Sequence, residues 1–244
     1  RDLSSLRHLY YGAAIMPVPV LQELRARLPN ARPYNCYGQS EIAPLATVLR
    51  PEEHEARPAS VGRPIGTVET RIVDPEMRDV PPGERGEIVH RSPQLLVGYW
   101  GKPEATAEAI TEDGWFRTGD MGVREPDGHI RLVGRIKEII ITGGFNVYPA
   151  EVEEAIAQHP DVVDVAAVGR PRQDGSEDVV GCVTLRDGAV LDPEGLKEFC
   201  RERLTRYKVP RTFYHFEDLA RDHLGKIRRH QVRKDLLELL EAKA

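Results

Sequence analysis

The chain has 244 residues, 40% of them hydrophobic and 30% charged, with a net charge of −5. That length can bury a full core, arranged as two domains or subdomains, and the acidic balance excludes a general nucleic-acid binder, which needs a basic face. No apolar run approaches the roughly 18 residues of a membrane-spanning helix. The three cysteines, Cys36, Cys182 and Cys200, have no metal or redox spacing, which predicts reduced packing thiols in a cytoplasmic protein. The chain opens on Arg1-Asp2-Leu3-Ser4-Ser5, with neither an apolar signal segment nor an initiator methionine, and is expected to be a piece of a longer polypeptide.

Leu21, Leu24 and Leu28 recur at helical spacing, and Pro29-Asn30 ends that pattern. Residues 34–37 read as a short buried strand. Gly38 to Glu41 then lie on the loop at its carboxyl end, where open α/β sheets collect ligands. From about residue 58 the pattern turns to β. Glu69-Thr70-Arg71-Ile72-Val73 alternates, Pro81-Pro82-Gly83 is a turn, and Glu87-Ile88-Val89-His90 is a further strand. Pro126-Asp127-Gly128 is a hairpin signal between two strand-like runs. Past Arg135 helices and strands mix. Pro149 opens a helix with Glu151 and Glu153 in its first turn and Val152 and Ile156 on one face. Strands are predicted at 162–168 and 179–185. A helix capped by Asp192 and started by Pro193 then buries Leu196, Phe199, Cys200 and Leu204. A strand near 213–216 precedes a last helix with Val232, Leu236, Leu239 and Leu240 on one stripe.

Five ordered segments carry the chemistry. They are Tyr37-Gly38-Gln39-Ser40-Glu41, Gly114-Trp115-Phe116-Arg117-Thr118-Gly119-Asp120, Gly134-Arg135-Ile136-Lys137-Glu138, Gly143-Gly144-Phe145-Asn146-Val147-Tyr148-Pro149-Ala150-Glu151 and Gly225-Lys226-Ile227-Arg228-Arg229. Taken singly, the first is an ordinary turn, Asp120 a turn residue and Arg135 a surface charge. The glycine pair is equally a bulge, and Lys226 equally part of a solvated basic face with Arg228, Arg229, Arg233 and Lys234. As a set spanning nearly the whole chain, they resemble the core motifs of the adenylate-forming superfamily, specifically its acyl-CoA synthetases.

The resemblance implies mixed α/β and α+β architecture. Residues 1–58 would end the α/β core of a large adenylation domain, 59–136 would be its small β-barrel subdomain, and 137–244 a mobile α+β lid with its hinge near Lys137. The implied reaction joins a fatty or other hydrophobic acid to CoA through an acyl-adenylate, with ATP, Mg²⁺ and CoA as partners. Tyr37 and Gly38 would lie against the nucleotide, Tyr37 stacking on adenine. Gly12-Ala13-Ala14 resembles the small-residue stretch lining the adenine pocket. Ser40 would bond the α-phosphate or acyl carboxylate, and Glu41 would hold Mg²⁺, which prefers hard oxygen ligands. Asp120 would accept both ribose hydroxyls, as a carboxylate can, with Arg135 reinforcing the ribose. Lys226 would bridge carboxylate and phosphate oxygens during adenylation. Gly143 and Gly144 would line the path of the CoA thiol, where only glycine allows close backbone approach.

The sequence departs from the family in two places. The phosphate loop that the family places upstream is absent, so adenylation is expected of a longer polypeptide. Arg221-Asp222-His223-Leu224 stands where small hydroxyl residues are usual. A peptide-synthetase-like or luciferase-like unit, or a non-catalytic binding module, is the alternative; a homodimer is compatible with the sequence.

Overall fold

β1 (His8–Gly12) and β2 (Arg32–Tyr37) run parallel, from His8 opposite Arg32 to Gly12 opposite Cys36. Such pairing requires a crossover, and α1 (Val18–Arg27) provides it, turning the buried Leu21 toward the core. The structure is a computed structural model that describes residues 2–13, 16, 18–223 and 225–242. β1 has no counterpart in the sequence-based elements, which begin with the helix. Its exposure alternates between exposed and half-buried, so it lacks the apolar run by which a parallel strand is recognised.

The sheet continues through β3 (Thr47–Leu49), β4 (Ser60–Pro64), β5 (Glu69–Val73) and β6 (Arg85–Arg91). After α2 (Pro103–Ala109) come β7 (Phe116–Arg124) and β8 (Ile130–Arg135), giving the order β1-β2-β3-β4-β8-β7-β6-β5. The small barrel expected over 59–136 does not form. β4 pairs with β3 of the preceding stretch as well as with β8. The strands therefore extend one open sheet, whose edges among the described residues are β1 and β5. The Pro126-Asp127-Gly128 hairpin is present: Glu125 N donates to His129 O at 2.8 Å, and Gly128 has φ 88°. Tyr37, Val61, Ile72, Ile88 and Ile130 pack together, and Ile42, Ala46 and Val68 form a neighbouring cluster.

This first compact unit ends at Ile136, and Lys137–Ala244 form the second. It opens on a hairpin of β9 (Ile140–Thr142) and β10 (Phe145–Val147), then α3 (Pro149–Ile156). β11 (Val162–Pro171) and β12 (Glu177–Leu185) are antiparallel; α4 (Pro193–Arg201) leads to β13 (Thr212–His215), parallel to β12, and α5 (Arg229–Glu241) closes the fold. Strand alternation divides the core in two. Val165, Ala167, Val179 and Val183 pack with Val152 and Ile156 of α3 and Leu196 and Cys200 of α4. Ala166, Val168, Val180 and Cys182 pack with Val232 and Leu236 of α5. Asp192 caps α4 as its sequence position predicts, accepting from Gly195 N at 2.9 Å. No helix of the described residues is long and apolar enough to cross a membrane.

Candidate active site

Asp120 is the centre of the first unit's polar cluster. It lies on β7 directly opposite Arg135 of β8, so strand register places a cation across from a carboxylate. Arg135 Nε is 3.0 Å from Oδ1. Oδ2 accepts from Tyr37 Oη and from Gln39 Nε2, each at 2.8 Å. Asp120 is only 3% exposed, and a buried carboxylate needs such donors to stay charged. The register slips between Met121 and Gly122; bulges of this kind gather beside functional sites, where they re-aim a side chain. Burial, then the Asp120 charge, push the Tyr37 phenol well above its ordinary value, so it remains a protonated donor.

Local chemistry explains why the chain reaches this point. A Cβ on Gly38 would lie 1.9 Å from Pro44 O, so only glycine lets residues 44–46 fold back over the end of β2. A 3-10 turn over Ser40–Ile42 follows, closed by Ala43 at φ 53°. Ser40 is exposed and Glu41 half-buried. Glu41 Oε1 accepts from Tyr99 Oη at 2.9 Å. Gly12 ends β1 beside Cys36, where a Cβ would sit 2.2 Å from Cys36 O, and Ala13 turns left-handed at φ 65°. Gly12-Ala13 and Tyr37-Gly38 thus share the carboxyl end of the parallel pair. Ala14 lies outside the described residues.

Glu87 and Gln39 support the site in roles that the sequence motifs assigned to neither. Glu87, 5% exposed, accepts from Arg117 Nε and Nη2 at 3.0 and 2.7 Å and from Gly119 N at 3.0 Å, bracing the residue before Asp120. Gln39 also donates to Thr118 O at 3.1 Å. These partners are 30 or more residues apart in sequence; pairing of β6 with β7 brings Glu87 to Arg117 and Gly119, and the loop after β2 brings Gln39 to Thr118.

On the second unit, Lys226 is exposed on a turn held by its own neighbours. Asp222 N donates to Lys226 O, and Lys226 N donates to Asp222 Oδ1, both at 2.9 Å. Gly225 has φ 81°. Arg221 donates to Gly225 O at 2.8 Å and pairs with Asp164 of β11 at 2.6 Å. The unusual Arg221-Asp222 pair therefore builds the turn that carries the lysine; Leu224 lies outside the described residues. Lys137 is exposed in a 3-10 turn over Ile136–Glu138. Gly143 and Gly144, at φ 53° and 81°, are the two central residues of the β9–β10 hairpin. That is a type I′ turn, which demands positive φ at both positions. Nothing lies within 4 Å of a Cβ at either glycine, so backbone conformation accounts for both. Among the described residues no hydrogen bond or ion pair joins Lys137, Gly143, Gly144 and Lys226 to one another.

The AMP-binding enzyme family matches residues 1–100, and the AMP-binding enzyme C-terminal domain matches residues 151–226. A long-chain-fatty-acid–CoA ligase from Salmonella typhimurium is 40% identical over 243 residues, covering 100% of this chain and 43% of that protein. An indoleacetate–CoA ligase from Aromatoleum aromaticum is 38% identical over 96% of this chain and 45% of its own length. The structure of the amide bond synthetase McbA from Marinactinospora thermotolerans superposes with a TM-score of 0.87 at 37% identity, covering 96% of this chain and 47% of that one. The chain thus spans less than half the length of these relatives. With its motifs in family order on a matching fold, the chain belongs to the adenylate-forming superfamily and is similar over its whole length to the superfamily's acyl-CoA synthetases.

Proposed function

We propose that the polypeptide carrying this chain is an ATP-dependent acyl-CoA ligase for a fatty or other hydrophobic carboxylic acid. The observation that carries this reading is the convergence of Tyr37, Gln39 and Arg135 on the buried Asp120 carboxylate, in a chain 40% identical to a long-chain-fatty-acid–CoA ligase. In the first step the substrate carboxylate attacks the α-phosphorus of ATP and pyrophosphate leaves. In the second, the CoA thiol attacks the acyl carbon and AMP leaves.

Asp120 accepts the ribose hydroxyls. Arg135, with a side chain 48% exposed, is the donor free to shift and share that carboxylate with the sugar. Tyr37 and Gln39 hold the carboxylate in place from the protein side. Adenine lies against Gly12, Ala13 and Gly38 at the carboxyl end of the parallel pair, next to Tyr37, which is itself only 8% exposed. Ser40 donates to the α-phosphate or the acyl carboxylate. Lys226, a compact cation with three donors, bridges the two anions as they approach. Gly143 and Gly144 present bare backbone to the pantetheine arm, and Lys137 is the pivot between the two steps.

Glu41 fits Mg²⁺ as a single carboxylate ligand. Among the described residues no three acidic, histidine or cysteine side chains converge on a metal site, and Mg²⁺ typically takes one or two carboxylates together with substrate phosphates and water. When bound, the ion screens phosphate charge from the incoming carboxylate. A cytoplasmic location and a homodimer belong to the same proposal.

Lys226→Ala in the full-length polypeptide should lower ATP–pyrophosphate exchange by about 10²–10³, the usual effect of removing one transition-state donor. CoA thioester formation from preformed acyl-adenylate should fall far less. Equal losses in the two assays would reject this role. Offering the acyl-adenylate to CoA and to amines in parallel separates a CoA ligase from an amide synthetase of the McbA type.

A further inference from the structure

Tyr99 lies on the loop that joins β6 to α2, a segment with no place in the five motifs. Its neighbours Val97 and Trp100 are fully exposed, yet Tyr99 turns inward and donates its hydroxyl to Glu41 Oε1 at 2.9 Å, across 58 residues of sequence. The backbone of this loop is tied to the same turn. Leu96 N donates to Glu41 O at 2.8 Å, and Gln94 Nε2 donates to Ile42 O and Leu45 O at 2.6 and 2.9 Å. Leu95 packs on the cluster of Ile42, Ala46 and Val68. Tyr99 is itself anchored, its N donating to Thr106 Oγ1 of α2 at 2.9 Å. A rigid loop therefore presents one hydroxyl to one carboxylate oxygen. Among the described residues no other hydrogen bond engages that carboxylate.

A phenol differs from the other donors that could hold Glu41. Arginine or lysine would orient the carboxylate but cancel its charge; a neutral hydroxyl orients it and leaves the charge for a cation. Glutamate has three rotatable side-chain bonds, and a bond to Oε1 selects one rotamer while leaving Oε2 to a ligand.

We propose that Tyr99 is a positioning residue that holds Glu41 in the rotamer that receives a divalent cation carried by the nucleotide phosphates. This rests on the ATP-dependent reading above. Partners that orient a metal-binding carboxylate typically contribute 10–100-fold to metal affinity.

The test uses the full-length polypeptide, Mn²⁺ as the probe and a non-hydrolysable ATP analogue, with free Mn²⁺ read by electron paramagnetic resonance. Wild type, Tyr99→Phe, Glu41→Gln and the double variant are compared. Tyr99→Phe should weaken nucleotide-dependent Mn²⁺ binding about 10-fold or more and leave metal-free nucleotide affinity unchanged. In the Glu41→Gln background the same substitution should have no further effect. Unchanged Mn²⁺ binding in Tyr99→Phe overturns the proposal. So does an equal loss with and without metal, which would make Tyr99 merely structural, or a full additional loss in the Glu41→Gln background. If wild type itself shows no nucleotide-dependent Mn²⁺ binding, the reading of an ATP site fails, and the inference with it.

Discussion

Asp120 collects Tyr37, Gln39 and Arg135 because a carboxylate can only accept, and a buried one must be supplied with donors from several directions. His90 illustrates the opposite case, a buried ring kept neutral. It is fully buried, its Nδ1 is 3.0 Å from Thr70 Oγ1, and burial lowers its pKa from 6.5 to about 4. Below pH 6.5 the unfolded chain takes up a proton that the folded chain refuses until about pH 4. Stability contributed by this group is therefore complete above pH 6.5 and drains away as the pH falls toward 4, by about 3 kcal/mol in all. In His90→Phe the slope of stability against pH across that window should flatten. Denaturation followed by the fluorescence of Trp115, which is buried in the same unit, measures it; an unchanged slope would assign the acid sensitivity elsewhere.

At the scale of elements, register decides who meets whom. Pairing of β7 with β8 sets Asp120 against Arg135, and pairing of β6 with β7 brings Glu87 to Arg117 and Gly119. In the second unit the first turn of α5 does the same work. Arg229 pairs with Glu138 at 2.7 Å and with Glu153 of α3 at 2.7 and 2.5 Å, and Glu153 also accepts from Ala167 N of β11. One guanidinium thus ties together the segment after Lys137, the helix α3 and the helix that follows the Lys226 turn. Arg229→Met strands two half-buried carboxylates and should cost about 3 kcal/mol, the low end for breaking such a pair. Arg229→Lys should recover only part, since an ammonium lacks the planar fork. Hydrogen exchange of β11 peptides containing Ala167 checks this: protection should fall in Arg229→Met and be intermediate in Arg229→Lys.

For the molecule as a whole, the chain divides at Ile136–Lys137 into two compact units, each with its own core. On the proposed two-step function, one centre serving two different reactions needs a change of arrangement between them, and that proposal puts the pivot at Lys137. Lys137→Pro fixes φ and removes a backbone donor there. In the full-length polypeptide it should leave pyrophosphate exchange near wild type while slowing CoA transfer more than about tenfold, a barrier increase of about 1.4 kcal/mol. Loss of exchange with CoA transfer intact would put the pivot elsewhere.

The sequence by itself was enough to determine the features whose causes are local. Helices α3, α4 and α5 announce themselves through Pro149, the Asp192 cap and the stripe of Val232 and Leu236, because capping and periodicity act over a few residues. The motif residues were legible for the same reason, being contiguous. What only the tertiary structure decided are the relations between distant residues: the open sheet in place of a barrel, Arg135 opposite Asp120, Tyr99 on Glu41, and Arg229 between Glu138 and Glu153. A hydrogen bond acts over about 3 Å of space and is indifferent to separation along the chain, so a donor's partner is chosen by strand register and packing and leaves no trace in the residues beside it.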